Sequence, residues 1–405
     1  MAQKPVSQKP APKPKARPRP ARPVAKPAAK AAARPSRRPA PVEPAAPPIV
    51  KPPKATANEL DLLKELSNAA SVSGDEGAVR KIILDAIRPH VDEVNVDVMG
   101  NVLAIKRGPG RGERVLVAAH MDEVGFMVSG HDADGTLRIE IVGGVDDRVL
   151  LGKHVLVGAK RVPGVIGVAP VHLLNADRRS AVTKANQLRV DLGVESADAA
   201  KKLAKAGDRG VFATEFDVVG PSLRGKALDD RLGCATLVEL LRGGPYSFDL
   251  HAAFTVQEEV GLRGAKVAGY AVDPVCAFVL DCTPAHDLPH SDEERENAQY
   301  NTRLGYGPAI YVADASTLHD ARLVAYLQAT AAGAGIPYQI QQPGGGGTDA
   351  GSIHRNRAGV PTVSLSVPGR YLHTPVSLVR AEDWRNSVKL MKLALEGWTT
   401  KILKR

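Results

Sequence analysis

The hydrophobic positions of this chain change period twice, and the changes divide it. Residues 1–54 show no apolar period at all. From there Leu60, Leu63 and Leu66 predict a short helix with Asn58 as its cap, and Ser73-Gly74-Asp75-Glu76 has the form of a capping box. That box opens a helix whose Val79, Ile82, Ile83, Ala86 and Ile87 make one stripe, ended by Pro89. Val94, Val96 and Val98 alternate with polar residues up to a Gly100-Asn101 turn, and Val102–Ile105 returns as a hairpin. The run Val115–Ala119 is unbroken, as befits a strand covered on both faces of an α/β sheet.

Between residues 128 and 219 the period shortens to two, with Leu137, Ile139 and Ile141, then Val155 and Val157, then Val165 and Val168, and one short helix near Ser196. Such a texture predicts a β-barrel or sandwich. At Lys226 the α/β alternation resumes. It gives a helix around Leu237, Val238 and Leu241, a strand Ala252–Val256, a helix after Gly261, a strand Val275–Leu280, a helix near 321–332 and a strand Thr362–Val367. A last helix carries Trp384, Val388, Met391 and Leu395 on one face. The pattern therefore predicts an α/β/α domain, residues 55–127 and 220–405, interrupted by a β-rich insertion at 128–219.

Charge changes the picture only at the start. The first 54 residues hold fourteen Lys or Arg against Glu43 alone, and sixteen of the 31 prolines, while the whole chain is +10, so the remainder is slightly acidic. A Pro/Ala/Lys/Arg segment of this kind buries too little apolar surface to offset its ordering entropy, and its charge suits weak contact with polyanions. No apolar run reaches the roughly 18 residues of a membrane span, and no secretory signal is evident. Cys234, Cys276 and Cys282 form no CxxC pair and read as packed thiols, which makes a cytoplasmic enzyme the expectation.

The chemistry lies in five short segments. His120 and Asp122 stand two apart where an apolar strand runs out, so both side chains point to one face, with His120 as a metal ligand and Asp122 orienting its ring. In Leu228-Asp229-Asp230-Arg231, Asp229 is the candidate to give one oxygen to each of two ions, and Asp230 reads as a helix cap. Glu258 and Glu259 are neighbours at a strand end and diverge. Glu259 is then the ligand and Glu258 the acid/base that handles the proton of an activated water. Asp281 ends a second apolar strand, and His373 follows Pro368-Gly369-Arg370-Tyr371 on a loop. The glycine run 344–347 lacks the Lys and Ser/Thr of a phosphate loop and reads as a backbone wall of a cleft.

The strings AHMDEVGFMV, GKALDDRLGCA, TVQEEVGLRGA, GGGGTDAGSIH and GVPTVSLSVPGRYLHTP, spread in order between residues 119 and 375, resemble the tetrahedral (TET) aminopeptidases, the glutamyl/leucyl or deblocking family. The resemblance implies two divalent ions, Zn, Co or Mn. One would be held by His120, Asp229 and Asp281, the other by Asp229, Glu259 and His373, with Glu258 catalytic and Asp122 in support. It further implies a PDZ-like or barrel dimerisation insert, peptide substrates, and dimers gathered into a hollow homododecamer. Two other readings compete: a glycan hydrolase using the paired glutamates, and a basic-tailed nucleic-acid-binding scaffold. Glycosidic carboxyls must face each other across one bond, which sequence neighbours on a strand do not. The folded part shows no basic motif interleaved with aromatics.

Overall fold

The computed structural model describes residues 57–109, 112–288, 302–343 and 346–404. The basic tail and its polyanion contact, and residues 344 and 345 of the glycine run, lie outside them. An 11-stranded mixed sheet forms the centre. Its four middle strands, Asp249–Thr255, Arg114–His120, Cys276–Pro284 and Thr362–Arg370, run parallel in that spatial order. The hairpin Glu93–Val96 and Val102–Lys106 flanks one side, and Ser377–Arg380, Ser222–Gly225 and Asp217–Val219 flank the other. The expected hairpin is thus present, with its turn bonded through Asp97, whose Oδ1 accepts from the backbone N–H of Met99, Gly100 and Asn101.

Alternation along Arg114–His120 shows why that strand had to be apolar throughout. Val115, Val117 and Ala119 join the large core formed with the helices Ala57–Asn68, Gly77–Ile87, Leu228–Arg242, Ala321–Gly333 and Ala381–Glu396. Leu116 and Ala118 face the opposite way, against Ala265 and Ala268 of the helix Arg263–Val272 and against Ile353. Both faces are covered, and the layers are α/β/α as the pattern predicted. Trp384, Met391 and Leu395 of the last helix are fully buried.

Strands Gly125–His131, Leu137–Val142, Arg189–Asp191, Val162–Gly167, His154–Val157 and Arg209–Phe212 close into a separate barrel. Its own core includes Phe126, Leu137, Val155, Ile166, Val190 and Phe212. Ser196 caps its helix, accepting from the backbone N–H of Ala199. The barrel strands begin at Gly125 and end at Phe212, whereas Asp217–Val219, counted above with the insertion, pairs into the large sheet. The apolar run through Val124-Gly125-Phe126 carries no turn signal, so its passage from one domain to the other leaves no mark in the pattern.

Two local expectations are corrected. The first helix starts at Ala57, one residue before the Asn58 expected to cap it. Ser73-Gly74-Asp75-Glu76 is not a capping box. Glu76 sits at the cap position of Gly77–Ile87 with no side-chain cap bond, and the Ser73 hydroxyl donates to Asp122 Oδ2 at 2.6 Å.

Candidate metal centre

Parallel strands deliver their carboxyl ends to one edge, and all five sequence segments meet there. Thr255 is level with His120 in the ladder, so the turn after it carries Glu258 and Glu259 past the His120 ring. Asp281 lies inside its strand and does not end it, because the strand continues to Pro284. His373 follows the fourth strand on a loop where Tyr371 and His373 both have positive φ. Asp229 and Asp230 arrive from the neck of the helix Leu228–Arg242, after Ala227 at φ 52°.

Asp229 is the centre of this arrangement. Its Oδ1 lies 3.3 Å from His120 Nε2 and its Oδ2 3.5 Å from His373 Nε2. His120 Nε2 is also 3.9 Å from Asp281 Oδ1, and His373 Nε2 is 3.5 Å from Glu259 Oε2. One carboxylate therefore faces two imidazoles, each with a second carboxylate beside it. A third cluster, Asp229, Asp230 and Cys282, has the spacing of a metal site but its other groups are engaged. Asp230 Oδ1 accepts from Gly233 N and Oδ2 from His120 N, so it is the expected helix cap and also a brace for the His120 strand. The Cys282 thiol donates to Leu228 O.

The group of Asp122 nearest the His120 ring is its backbone carbonyl and not the carboxylate expected to orient that ring. His120 Nδ1 lies 3.1 Å from the Asp122 carbonyl oxygen and 3.5 Å from its carboxylate. The carboxylate itself accepts from Glu258 N at 3.0 Å and Glu259 N at 3.2 Å. Upstream, Gln257 N donates to Glu76 Oε1 and Val256 N to Asn101 Oδ1. Four consecutive backbone N–H groups are thus held by three side chains. Gln257, at φ 57°, stays in its left-handed conformation within this clamp. The tertiary roles of Glu76 and Asn101 are not legible in the sequence, since S-x-x-E and G-N both have complete local explanations.

Behind Asp229, the buried Glu123 carboxylate accepts from Lys226 Nζ at 2.8 and 3.0 Å, from Arg231 Nη2 at 3.0 Å and from Ser71 N at 3.0 Å. This ion cluster braces the turn on which Asp229 sits. Burial pushes the Lys226 amine down to about 8 despite Glu123. Nothing in the pattern marked Glu123, which follows the metal-ligand segment as an ordinary acid.

The electrostatics describe a site short of positive charge. Burial pushes Glu258 and Asp281 well above the usual carboxylate range, with neighbouring acids adding to it, and pushes Glu259 up to about 7 against the pull of His373. Burial opposes charge on His120, yet Asp122 and Asp229 outweigh it and hold the imidazole well above its ordinary value. Asp229 lifts His373 to about 10. Burial would raise Asp229 too, but the two imidazoles hold it far down. Protons on the histidines stand where a cation would serve better. Asp229 Oδ1 is buried without a hydrogen-bond partner, and the cleft lined by Glu123, Asp229, Glu259 and His373 has about 10 Å³ of free volume, near that of one water. A nitrogen and oxygen donor set of this size fits small borderline divalent ions. A larger cavity of about 520 Å³ beside His251 and Arg114 lies at the Glu93–Val96 edge of the sheet and contains none of these groups.

Residues 100–390 match the family model described as M42 glutamyl aminopeptidase. The chain belongs to the M42 family. The family is one of metal-dependent aminopeptidases, so this M42 chain is a peptide hydrolase. A putative aminopeptidase of Acetivibrio thermocellus is 36% identical over 83% of this chain and 98% of its own length. The TET aminopeptidase structure from a marine sediment thaumarchaeon is 36% identical at a TM-score of 0.80, covering 86% of this chain and 99% of that one. The TET1 peptidase of Pyrococcus horikoshii, which assembles into a tetrahedron or a large octahedral shell, is 34% identical at a TM-score of 0.74 over 84% of this chain and all of that one. Among the described residues of this M42 protein no helix is long and apolar enough to cross a membrane.

Proposed function

We propose that this M42 enzyme removes N-terminal residues from peptides at a pair of divalent ions, Zn, Co or Mn. His120, Asp229 and Asp281 would hold one, and Asp229, Glu259 and His373 the other. The observation that carries the reading is Asp229 facing a different imidazole with each oxygen. Bound ions supply Lewis acidity toward the scissile carbonyl and lower the pKa of water. Glu258 is then placed to take the proton of the attacking water and return it to the departing amine. Its carboxyl is buried among acids and its backbone is fixed by Asp122, so proton affinity is raised without loss of position.

A panel of aminoacyl-p-nitroanilides, assayed after chelation and after each metal is restored, tests the activity and identifies the preferred residue. Glu258→Gln should keep both metals and lose on the order of 10²-fold or more in kcat. Glu259→Gln should lose one of the two metals. Full loading and full activity in both variants would overturn the role assignment.

We also propose that the barrel is the dimerisation element of a homododecamer. Leu151, Val165, Val168, Val171, Leu173 and Val182 are all at least 40% exposed on this one small domain, an apolar surface that association would bury. Light scattering of protein lacking residues 1–54 should give about twelve subunit masses, with peptide turnover unchanged by the deletion. A fully active monomer would refute the role of the barrel. The three cysteines are buried free thiols, which supports a reducing, cytoplasmic setting.

A further inference from the structure

The two imidazoles of the centre are held by different means. His120 is turned by a carbonyl two residues along its own chain. His373 stands on a loop with left-handed backbone at Tyr371 and His373, and its side chain is 45% exposed. The loop's internal bonds, from Thr374 Oγ1 to the carbonyls of Tyr371 and Val376, organise backbone and leave the ring free to turn. The ring's Nδ1 instead meets the carbonyl of Gly144 at 3.0 Å. Gly144 is 229 residues away, in the segment that leaves the barrel strand Leu137–Val142.

Glycine is needed there for reasons of space. A Cβ on Gly144 would lie 3.2 Å from His373 Nδ1 and 3.7 Å from Cε1. At Gly143, φ is +83° and a Cβ would lie 2.7 Å from Val124 Cγ1. The pair thins the segment so that its carbonyl reaches the ring edge. A ligating imidazole that donates its other N–H to a carbonyl is fixed in tautomer and orientation, and loss of such a partner typically lowers metal affinity about 10- to 100-fold.

We propose that the Gly144 carbonyl is the positioning group for the second metal: it accepts the Nδ1–H of His373 and leaves Nε2 free to ligate, so the inserted barrel sets the occupancy of one half of the centre. The proposal rests on the assignment of His373 as a ligand. It follows that displacing the 143–144 segment should weaken one metal and spare the other.

The test is competition for Co²⁺ against a chromophoric chelator on the full-length protein, with the Co²⁺ absorption of each step recorded. Wild type should bind two ions, and His373→Ala one. Gly144→Ala pushes on the ring side of the carbonyl and Gly143→Ala on the Val124 side, so the two displace it independently. Both should keep the first affinity within about twofold and lose about 10- to 100-fold at the second, and Gly143→Ala, strained at its positive φ, should also lower the thermal midpoint of the metal-free form. Should one variant fail to fold, the other decides. Wild-type second affinity in the folded glycine variants, with His373→Ala losing that ion, would overturn the proposal while leaving the ligand assignment intact. Two ions bound by His373→Ala would overturn the assignment and the proposal together.

Discussion

The half of the centre around His120 and the half around His373 share Asp229 and differ in almost everything else. His120 ends a buried strand, is 3% exposed, and receives support from its own chain, from Asp230 and from the neighbouring Asp281 strand, which pairs with it as far as Val279 opposite Ala118. His373 sits on an exposed loop and depends on a carbonyl from another domain. A site built on a packed sheet is pre-formed by folding. One built on a loop must be assembled, and it is the half through which ions should exchange and through which the insertion can act. The comparison teaches that the side chains of one candidate site need not be held with uniform rigidity to converge.

The sharpest way to break this comparison is at the shared residue. Asp229→Ala should weaken both ions and abolish turnover, with losses well beyond the 10- to 100-fold scale of a supporting partner; retention of either ion at wild-type affinity, measured by metal analysis after dialysis, would show that the halves are independent. Next in size is the response to pH. In the metal-free protein burial pushes the Glu259 carboxyl up to about 7, and Asp229 lifts the His373 imidazole to about 10. Both must lose protons to ligate, so affinity at the second ion should fall as pH falls. The loss should be about tenfold per pH unit between 10 and 7 and steeper below 7, where Glu259 also carries a proton. Calorimetry in buffers of different ionisation enthalpy counts the protons released, and a pH-independent second affinity would contradict the ligand set.

The smallest effect concerns the clamp. Asn101→Ala leaves Val256 N without its buried acceptor and should cost about 1–3 kcal/mol of stability, read from urea unfolding. Metal stoichiometry should not change and kcat should fall only modestly, because Asp122 still holds Glu258 and Glu259. A lost ion in this variant would mean that the clamp belongs to the metal sites and not to the base.

The sequence made the four central strands and the five ligand segments legible because burial on both faces and the clustering of carboxylates with histidine leave compositional traces. Residues that act through tertiary contacts left none. Ser73 and Glu76 satisfy a local helix-start pattern, and only the fold shows their bonds going to Asp122, Gly74 and Gln257. Asp281 was placed at a strand end because its apolar run stops there, yet pairing with Thr362–Arg370 carries the strand on through polar Thr283. Gly144 contributes a carbonyl, a group that every residue owns and that no pattern can single out.

The clamp around Val256–Glu259 also bears on how this enzyme tolerates change in length. Each of its four N–H groups is already matched to an acceptor on Asn101, Glu76 or Asp122, and those three side chains come from separate parts of the chain. Adding or removing one residue there would slide every amide past its partner at once, so the segment has no slack. In a library of single-residue insertions, positions 256–259 should therefore stand out as a silent gap, and lineages of this fold should vary the size of their loops on either side of it but never through it.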